Sequence, residues 1–239
     1  MDKEVFVRRL GPFPHVSPPV FITSAILILG FILFSRLFTE TAATVFSAAQ
    51  SGIADGFGWL LILVTNAALV LSVYLAFSRY GDIRLGAQTE EPEYDILSWT
   101  AMMFSAGIGI GLLYWAVAEP LFHFASPPMG QGETAEAAKQ AMVISFLHWG
   151  WHGWGIYCIV GMALAYFHYR QGLPLSIRSA LYPLIGERIY GFWGHVVDIL
   201  AVFGTMFGIV TSLGLGAMQI NSGLGEVFGI EQSPVVQIL

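Results

Sequence analysis

Residues 104–115 read FSAGIGIGLLYW and place a glycine at every second position within one of the longest apolar runs of the chain. Each of these glycines, Gly107, Gly109 and Gly111, disfavours a helix by roughly 1 kcal/mol relative to alanine. In one interpretation, Gly107 and Gly111 form a face of small residues on which a second helix packs closely. In the other, the segment unwinds and its freed backbone carbonyls bind an ion and a solute. Glycine spacing alone does not decide between the two.

The composition of the whole chain is that of a membrane protein. Of its 239 residues, 56% are hydrophobic and only 11% are charged, against about 25% charged residues in an ordinary soluble domain. Five apolar stretches approach or exceed the roughly 20 residues that a helix needs to cross a bilayer. They cover residues 21–38, 57–77, 96–118, 141–167 and 192–220, and Ser233 and Pro234 resemble the first turn of a further helix. We therefore predict an all-α integral membrane protein with about five complete transmembrane helices and the start of a sixth.

The basic residues indicate how these helices are oriented. We expect a cytoplasmic tail at 1–20, two N-terminal transmembrane helices with a cytoplasmic loop at 21–95, and helices three to six at 96–239. With a cytoplasmic N-terminus, eight of the ten basic residues fall on the cytoplasmic side, in agreement with the positive-inside rule. The eight are Lys3, Arg8, Arg9, Arg79, Arg84, Arg170, Arg178 and Arg188, and the two outside are Arg36 and Lys139.

The connections between the predicted helices differ in composition. Residues 79–94 are charged and predict a cytoplasmic loop. Residues 119–140 begin as a turn-rich outer loop and continue, after Thr134, as a short helix-prone stretch. Residues 169–191 predict one or two short helices at the cytoplasmic interface, and residues 221–234 predict an outer loop.

A second unusual stretch, FLHWGWHGWGIY at 146–157, concentrates aromatic residues within the fourth predicted helix. In a continuous helix with 100° per residue, Trp149, Trp154 and Tyr157 share one broad face. Such rings are either anchors at the membrane interface or the walls of a site for a quaternary ammonium group, held by cation–π attraction. His148 and His152 are spaced like metal ligands, but no third ligand is evident nearby, so we expect them to hydrogen-bond to backbone or water.

Several function classes are excluded or disfavoured by what the sequence lacks. It has no phosphate-binding GxxxxGK[ST] motif and no nucleophile paired with a base, so we predict that it is not an enzyme and needs no cofactor. Its few basic residues are scattered, which disfavours binding to nucleic acid. The central parts of the five spans contain no charged residue, because Glu119 and Asp198 fall at span ends. This favours sodium over a proton as a coupling ion, since proton carriers usually contain an intramembrane carboxylate.

Taken together, four stretches of the chain resemble the betaine/carnitine/choline transporter family of secondary carriers. They are RYGDIRLG at 79–86, MFSAGIGIGLLYWAVAEPLFHF at 103–124, FLHWGWHGWGIYCIVGMALAYFHYRQGLPLSIRSALYPLIGERIYG at 146–191, and FGIVTSLGLGAMQINSGL at 207–224. The resemblance implies a LeuT-like fold, in which two inverted five-helix repeats follow two extra helices. Because complete members have twelve spans, the chain resembles the N-terminal half of such a carrier. A homotrimer in a bacterial inner membrane is also implied.

The resemblance also implies roles for individual residues. The third helix is the one that unwinds at the substrate in this family, which places Gly107, Ile108, Gly109, Ile110 and Gly111 at the solute. The carbonyls of Ser105 and Ile108 would face a sodium ion, and the rings of Trp149, Trp154 and Tyr157 would surround the trimethylammonium group. A second sodium site in the family uses hydroxyls four residues apart. Here Thr205 matches and Ile209 does not, so Thr211 or Ser212 substitutes or the second site is weakened.

The expected function is therefore sodium-coupled uptake of glycine betaine or a related osmolyte through a lipid bilayer. Gly111 supports this choice, because the family's proton-coupled choline carriers tend to have aspartate at that position. A proton-coupled or sodium-independent carrier or exchanger of choline or carnitine is the first alternative. The second is a non-transporting helical membrane subunit, in which the glycines and aromatic residues only pack helices and anchor the interface.

Overall fold

The computed structural model describes residues 8–107, 109–231 and 233, which are mainly helical. A small antiparallel hairpin, not expected from the sequence, pairs β1 (Arg8–Leu10) with β2 (Phe13–Val16). Gly11 lies in its turn at a φ of 57°, a conformation that glycine adopts without strain. The hairpin leads directly into α1 (Pro18–Leu37). Its first turn contains two prolines, which are tolerated there because the first N–H groups of a helix have no partner within the helix.

The second helix is longer than the predicted span. α2 (Thr39–Phe77) has 39 residues and starts immediately after Phe38, whereas the sequence analysis placed the start of this span at residue 57. The additional turns are rich in alanine, which favours a helix even where the sequence is too polar to be read as membrane-spanning. α1 and α2 pack on each other through aromatic rings, and the centroids of Phe31 and Phe46 lie 4.9 Å apart.

The predicted third and fourth spans each form two shorter helices. The third consists of α3 (Ile96–Gly107) and α4 (Ile110–Ala125), and the fourth of α5 (Ala135–Trp149) and α6 (Trp151–Ala165). α4 continues seven residues beyond the predicted end of the span at Ala118, so Glu119 is a helix residue and not the start of a loop. The helix-prone stretch after Thr134 is likewise the first part of α5, and the Thr134 hydroxyl caps it by accepting the backbone N–H of Ala137.

The connection between α6 and the last helix consists of short helices, as predicted. A π-helical turn at Tyr166–Arg170 is followed by a 3-10 helix at Ile177–Leu181, by α7 (Tyr182–Ile185) and by a second 3-10 helix at Gly186–Tyr190. The charged segment between α2 and α3 contains no helix or strand, which confirms the prediction of a loop.

The last helix, α8 (Phe192–Phe228), corrects the predicted outer loop at 221–234, because the helix continues eight residues past Ile220. The sequence contains no proline between Ile220 and Phe228 to end it, and Gly229, with a φ of 67°, follows its last residue. The predicted sixth helix lies outside the described residues, apart from Ser233. By length and composition, α1, α2 and α8 are long and apolar enough to cross a membrane.

The chain forms two compact units. Their boundaries differ from residues 20 and 95, where the sequence is predicted to divide, and that predicted division stays a prediction. One unit contains residues 1–89 and 152–204, and the other contains residues 90–151 and 205–239. In the first unit, Arg178 anchors the short helices to the start of α8. In the second, α4 and α5 pack along each other.

Candidate functional site

The glycine stretch at 104–115 interrupts the third predicted span. α3 ends at Gly107 and α4 begins at Ile110, with Gly109 between them in an extended conformation at φ −84° and ψ 179°. Ile108 lies outside the described residues, as do the side chains at 106, 107, 110 and 111. Gly111 belongs to α4, so the interruption is shorter than the predicted segment 107–111. Of the two interpretations of the glycines, the structure agrees with the one in which the helix is interrupted.

An interrupted helix exposes two kinds of backbone group to a ligand. At the C-terminus of a helix the last carbonyls generally have no partner within the helix, and the negative end of the helix dipole favours a cation there. The first N–H groups of α4 provide the opposite polarity and suit an anion. The carbonyl of Gly109 already accepts the N–H of Leu113 at 3.2 Å, which starts α4. This arrangement is suited to a solute or ion pair that carries both charges.

Trp154 and Tyr157 form an aromatic pair on α6. They are three residues apart, and their ring centroids lie 5.5 Å apart with 40° between the ring planes. Both side chains are exposed within the described chain, Trp154 to 44% and Tyr157 to 72%. Two adjacent electron-rich rings with accessible surfaces are able to bind a cation.

α6 contacts α2 at Gly155, which lies between the two residues of the aromatic pair in sequence. Gly155 is buried, and a methyl group at this position would lie 3.0 Å from the Cα atom of Leu69 on α2. The Ser72 hydroxyl also donates a hydrogen bond to the carbonyl of Gly155 at 3.4 Å. The backbone of α6 therefore lies close to α2 at Gly155, the residue after Trp154. Gly155 and Ser72 were not predicted from the sequence, although a glycine between two aromatic residues was the available signal.

Trp149 does not share a continuous helix with the other two rings, so the prediction of a single aromatic face was wrong. Trp149 is the last residue of α5, and Gly150 separates it from α6. A Cβ atom at Gly150 would lie 2.3 Å from the carbonyl oxygen of Phe146, which explains why the chain turns at a glycine. The helical angle of 100° per residue does not apply across this turn. Trp149 belongs to the second unit, and Trp154 and Tyr157 belong to the first.

Trp149 is instead bound to a buried carboxylate, Glu119 of α4. Its indole Nε1–H donates to Oε2 of Glu119 at 2.6 Å. The Nδ1 atom of His148 lies 2.9 Å from both carboxylate oxygens, and Nε2 of His123 lies 3.6 Å from Oε1. Glu119 is only 6% exposed. This cluster was not predicted from the sequence, because Glu119 lies at the predicted start of a loop.

The two histidines of the aromatic stretch lie on separate helices. His148 is bound to Glu119, which corrects the expectation that it hydrogen-bonds to backbone or water. His152 is the second residue of α6 and belongs to the other unit. Among the described residues, no group of three histidine, cysteine or acidic side chains is arranged to hold a metal ion.

The predicted sodium ligands are partly described. Ser105 lies in the last turns of α3, and Thr205, like Ile209, Thr211 and Ser212, lies in α8. Ser105 and Thr205 belong to the same compact unit, and Ile108 is outside the described residues. Their role as sodium ligands stays a prediction.

Comparison with known proteins agrees with the resemblance noted in the sequence. The family model described as the betaine/carnitine/choline family transporter matches residues 19–239. The chain is 49% identical to a high-affinity choline transport protein of Escherichia coli, over 91% of the chain and 32% of that protein. It is 47% identical to a probable glycine betaine transporter of Desulfitobacterium hafniense, over 95% of the chain and 46% of that protein.

A third relative, an osmo-dependent choline transporter of Acinetobacter baylyi, is 46% identical over 96% of the chain and 34% of its own length. The chain thus spans between a third and a half of the length of these relatives. Their names include both choline and glycine betaine carriers at nearly equal identity. Sequence identity therefore does not distinguish between the two solutes.

Proposed function

Because the chain belongs to the betaine/carnitine/choline transporter family, we propose that it takes part in secondary transport of quaternary-ammonium solutes across a membrane. Members of this family are transporters and not enzymes. The preferred reaction is sodium-coupled uptake of glycine betaine. The bacterial inner membrane, a cytoplasmic N-terminus and a homotrimer belong to the same proposal.

The interruption between Gly107 and Ile110 is the observation on which this proposal depends most. Glycine betaine carries a permanent positive charge at its trimethylammonium group and a negative charge at its carboxylate. The first N–H groups of α4 suit the carboxylate, and carbonyls near the end of α3, such as that of Ser105, suit a sodium ion. The carbonyl of Ile108, which lies outside the described residues, belongs to the same proposal. An uninterrupted helix would use all of these groups internally and leave none for a ligand.

The aromatic residues supply the partner for the other end of the solute. Trp154 and Tyr157 are close enough to contact one trimethylammonium group together, and such cation–π contacts contribute about 0.5 to 2 kcal/mol each. Trp149 is the third ring of the proposed site. A quaternary ammonium group donates no hydrogen bond, so ring faces recognise it better than carbonyl or carboxylate oxygens do.

The choice of sodium is supported by the contacts of Glu119 in α4 and Asp198 in α8. Glu119 accepts the indole N–H of Trp149, and Asp198 is paired with Arg178. Each of these carboxylates thus has partners within the protein, a structural role that requires no proton exchange. Gly111, where related proton-coupled choline carriers tend to have aspartate, supports the same choice.

A proton-coupled or sodium-independent carrier of choline or carnitine is the second candidate. The choline transporters among the relatives favour it, since they are as similar to the chain as the glycine betaine transporter is. A helical subunit without transport activity has the least support, because the members of the family are transporters.

Uptake into proteoliposomes tests the proposal. The complete purified protein is reconstituted, and initial uptake of radiolabelled glycine betaine is measured with an inward sodium gradient and with potassium in its place. Uptake that requires sodium and is competed by unlabelled betaine supports the proposal. Uptake indifferent to sodium but dependent on an inward proton gradient, with choline as the better competitor, would establish the second candidate instead. If the protein takes up neither radiolabelled glycine betaine nor choline nor carnitine, both candidate functions are refuted.

A further inference from the structure

Glu119 combines features that are costly to maintain in the interior of a membrane protein. It is a carboxylate in the middle of α4, only 6% exposed, and it is immediately followed by Pro120, which cannot donate a backbone hydrogen bond within the helix. Burial of a charged group is unfavourable unless it is paired and hydrogen-bonded. The groups that surround Glu119 should therefore indicate what the carboxylate is for.

The partners of Glu119 come from both helices that pack at this point. From α5, His148 approaches both carboxylate oxygens at 2.9 Å and Trp149 donates its indole N–H to Oε2 at 2.6 Å. From α4 itself, His123 lies one turn away, with Nε2 at 3.6 Å from Oε1. The contact to Trp149 is the shortest of these.

The bond between Glu119 and Trp149 restricts the indole ring. Tryptophan has only one hydrogen-bond donor, so occupying the N–H determines which edge of the ring faces α4. Hydrogen bonds to an ionised acceptor are shorter and stronger than neutral ones, which keeps the ring in one rotamer. The carboxylate also draws the N–H proton toward itself and so raises the electron density of the ring, which strengthens its attraction for a cation.

We propose that Glu119 is a positioning residue for the substrate, acting through Trp149: it holds the indole ring in the orientation that binds the quaternary ammonium group. This inference rests on the proposed function, in which Trp149 is one of the rings around that group. In this role Glu119 contributes to the affinity for the solute and does not transfer protons. It also explains why a carboxylate is present in α4 although the proposed coupling ion is sodium.

Variants that remove one side of the bond at a time test this role. Glu119→Ala removes the acceptor, Glu119→Gln keeps an acceptor oxygen without the charge, and Trp149→Phe keeps a ring without the N–H donor. Apparent KM and maximal rate of betaine uptake are measured for each variant and for the double variant Glu119→Ala/Trp149→Phe. His148→Ala is the matched control, because it removes another partner of the same carboxylate and leaves the indole bond in place.

We expect Glu119→Ala to raise the apparent KM by about tenfold, with the maximal rate changed by less than about twofold. Glu119→Gln should raise the KM less, and His148→Ala less than Glu119→Ala. In the Trp149→Phe background, Glu119→Ala should have almost no further effect, because the two residues act as one unit. Effects that multiply in the double variant, or an unchanged KM in Glu119→Ala, would overturn the positioning role.

A measurement independent of transport covers variants with little activity. In protein labelled with ¹⁵N-tryptophan, the indole N–H signal of Trp149, assigned by its loss in Trp149→Phe, should lie downfield and move upfield in Glu119→Gln. If Glu119→Ala does not fold, Glu119→Gln replaces it in both the uptake measurement and the NMR measurement. Failure of the wild-type protein to transport any quaternary-ammonium solute would refute the proposed function. Wild-type transport combined with an indole signal indifferent to Glu119→Gln would refute only the positioning role.

Discussion

Arg178 and Asp198 form an ion pair in which Nη2 and Oδ2 lie 2.6 Å apart, although the Arg178 side chain is completely buried. The Nε–H of Arg178 donates to the same carboxylate at 2.7 Å, and Nη1 donates to the carbonyl of Ile189 at 3.1 Å. The Ser176 hydroxyl also donates to Asp198. One guanidinium thus connects two of the short helices to the first turns of α8.

The change Asp198→Asn should destabilise the protein strongly, because it leaves Arg178 as a buried charge without its counterion. We expect a loss of about 3 to 5 kcal/mol, the usual result of removing one partner of a buried pair. Thermal unfolding of the detergent-solubilised protein measures it. The matched control is Lys139→Gln, which breaks the exposed pair of Lys139 and Glu136 and should cost less than about 1 kcal/mol. Equal effects of the two changes would contradict this assignment.

Gly155→Ala should shift α6 away from α2. The new methyl group would lie 3.0 Å from Cα and 3.2 Å from N of Leu69, and these backbone atoms cannot rotate away. We expect a destabilisation of about 1 to 3 kcal/mol and a higher apparent KM for betaine, since Trp154 is the adjacent residue. Gly161→Ala is the control on the same helix, because a methyl group there meets open space. If Leu69→Ala restored the stability of the Gly155→Ala protein, the clash would involve the side chain of Leu69 and not its backbone.

Trp154→Ala should weaken solute binding while leaving the fold intact. Loss of one cation–π partner worth about 0.5 to 2 kcal/mol corresponds to a rise of about twofold to 30-fold in the apparent substrate constant. Trp154→Phe should have a smaller effect, because a weaker ring remains. Trp151→Ala serves as the control, since Trp151 lies on the same helix, is 75% exposed and is not among the proposed site residues. An unchanged constant in Trp154→Ala would remove this ring from the site.

Gly109→Ala separates the folding role of the glycine stretch from its binding role. Gly109 has an extended backbone that alanine adopts without strain, and a Cβ atom there would meet no other atom within 4 Å. Thermal stability should therefore change by less than about 1 kcal/mol. Betaine uptake should nevertheless fall, because the methyl group would occupy space beside the first turn of α4, where the solute carboxylate is proposed to bind. Wild-type uptake by a stable Gly109→Ala protein would place the solute elsewhere.

The start of α3 should contribute stability that depends on pH. The backbone N–H and the hydroxyl of Ser98 both donate to the carboxylate of Asp95, and these bonds hold its pKa below the usual value of 3.8. A depressed pKa means that the contribution is fully present above the unfolded-state pKa and is lost as pH falls through the folded-state pKa.

The change Asp95→Ala tests this contribution. Wild-type protein should be more stable than Asp95→Ala at neutral pH, and the difference should shrink as the pH falls below 3.8. Asp95→Asn is the control, because asparagine caps a helix without titrating in this range. Thermal unfolding between neutral and acidic pH gives the comparison. A difference between wild type and Asp95→Ala that does not vary with pH would contradict the prediction.

The sequence predicted where the long apolar helices lie in the chain, but it did not predict where they end. Apolar runs predicted α1, α2 and α8, which are long and apolar enough to cross a membrane, since the need to satisfy backbone groups in lipid makes hydrophobicity a reliable signal. The same signal does not report where a helix ends outside the apolar layer. α2 therefore begins 18 residues before the predicted start at Phe57, and α8 continues past Ile220.

The composition of the candidate site stays a prediction from the sequence, and the structure bears only on how its residues are arranged. Glycine spacing made an interruption at 107–111 one of two interpretations, because the helix propensity of glycine is a local property, and the family resemblance selected it. The predicted placement of Trp149, Trp154 and Tyr157 on one face assumed a continuous helix, which Gly150 interrupts.

The sequence by itself determined the membrane class, the family and the residue types available for binding a methylated cation, because these follow from composition, hydropathy and local motifs. Only the tertiary structure decided that Glu119 binds the indole of Trp149, that Arg178 is buried against Asp198, and that Gly155 lets α2 approach α6. Each of these contacts joins residues 20 or more positions apart. Such pairs are selected by how helices pack in space, and that packing has no periodicity that a single sequence reveals.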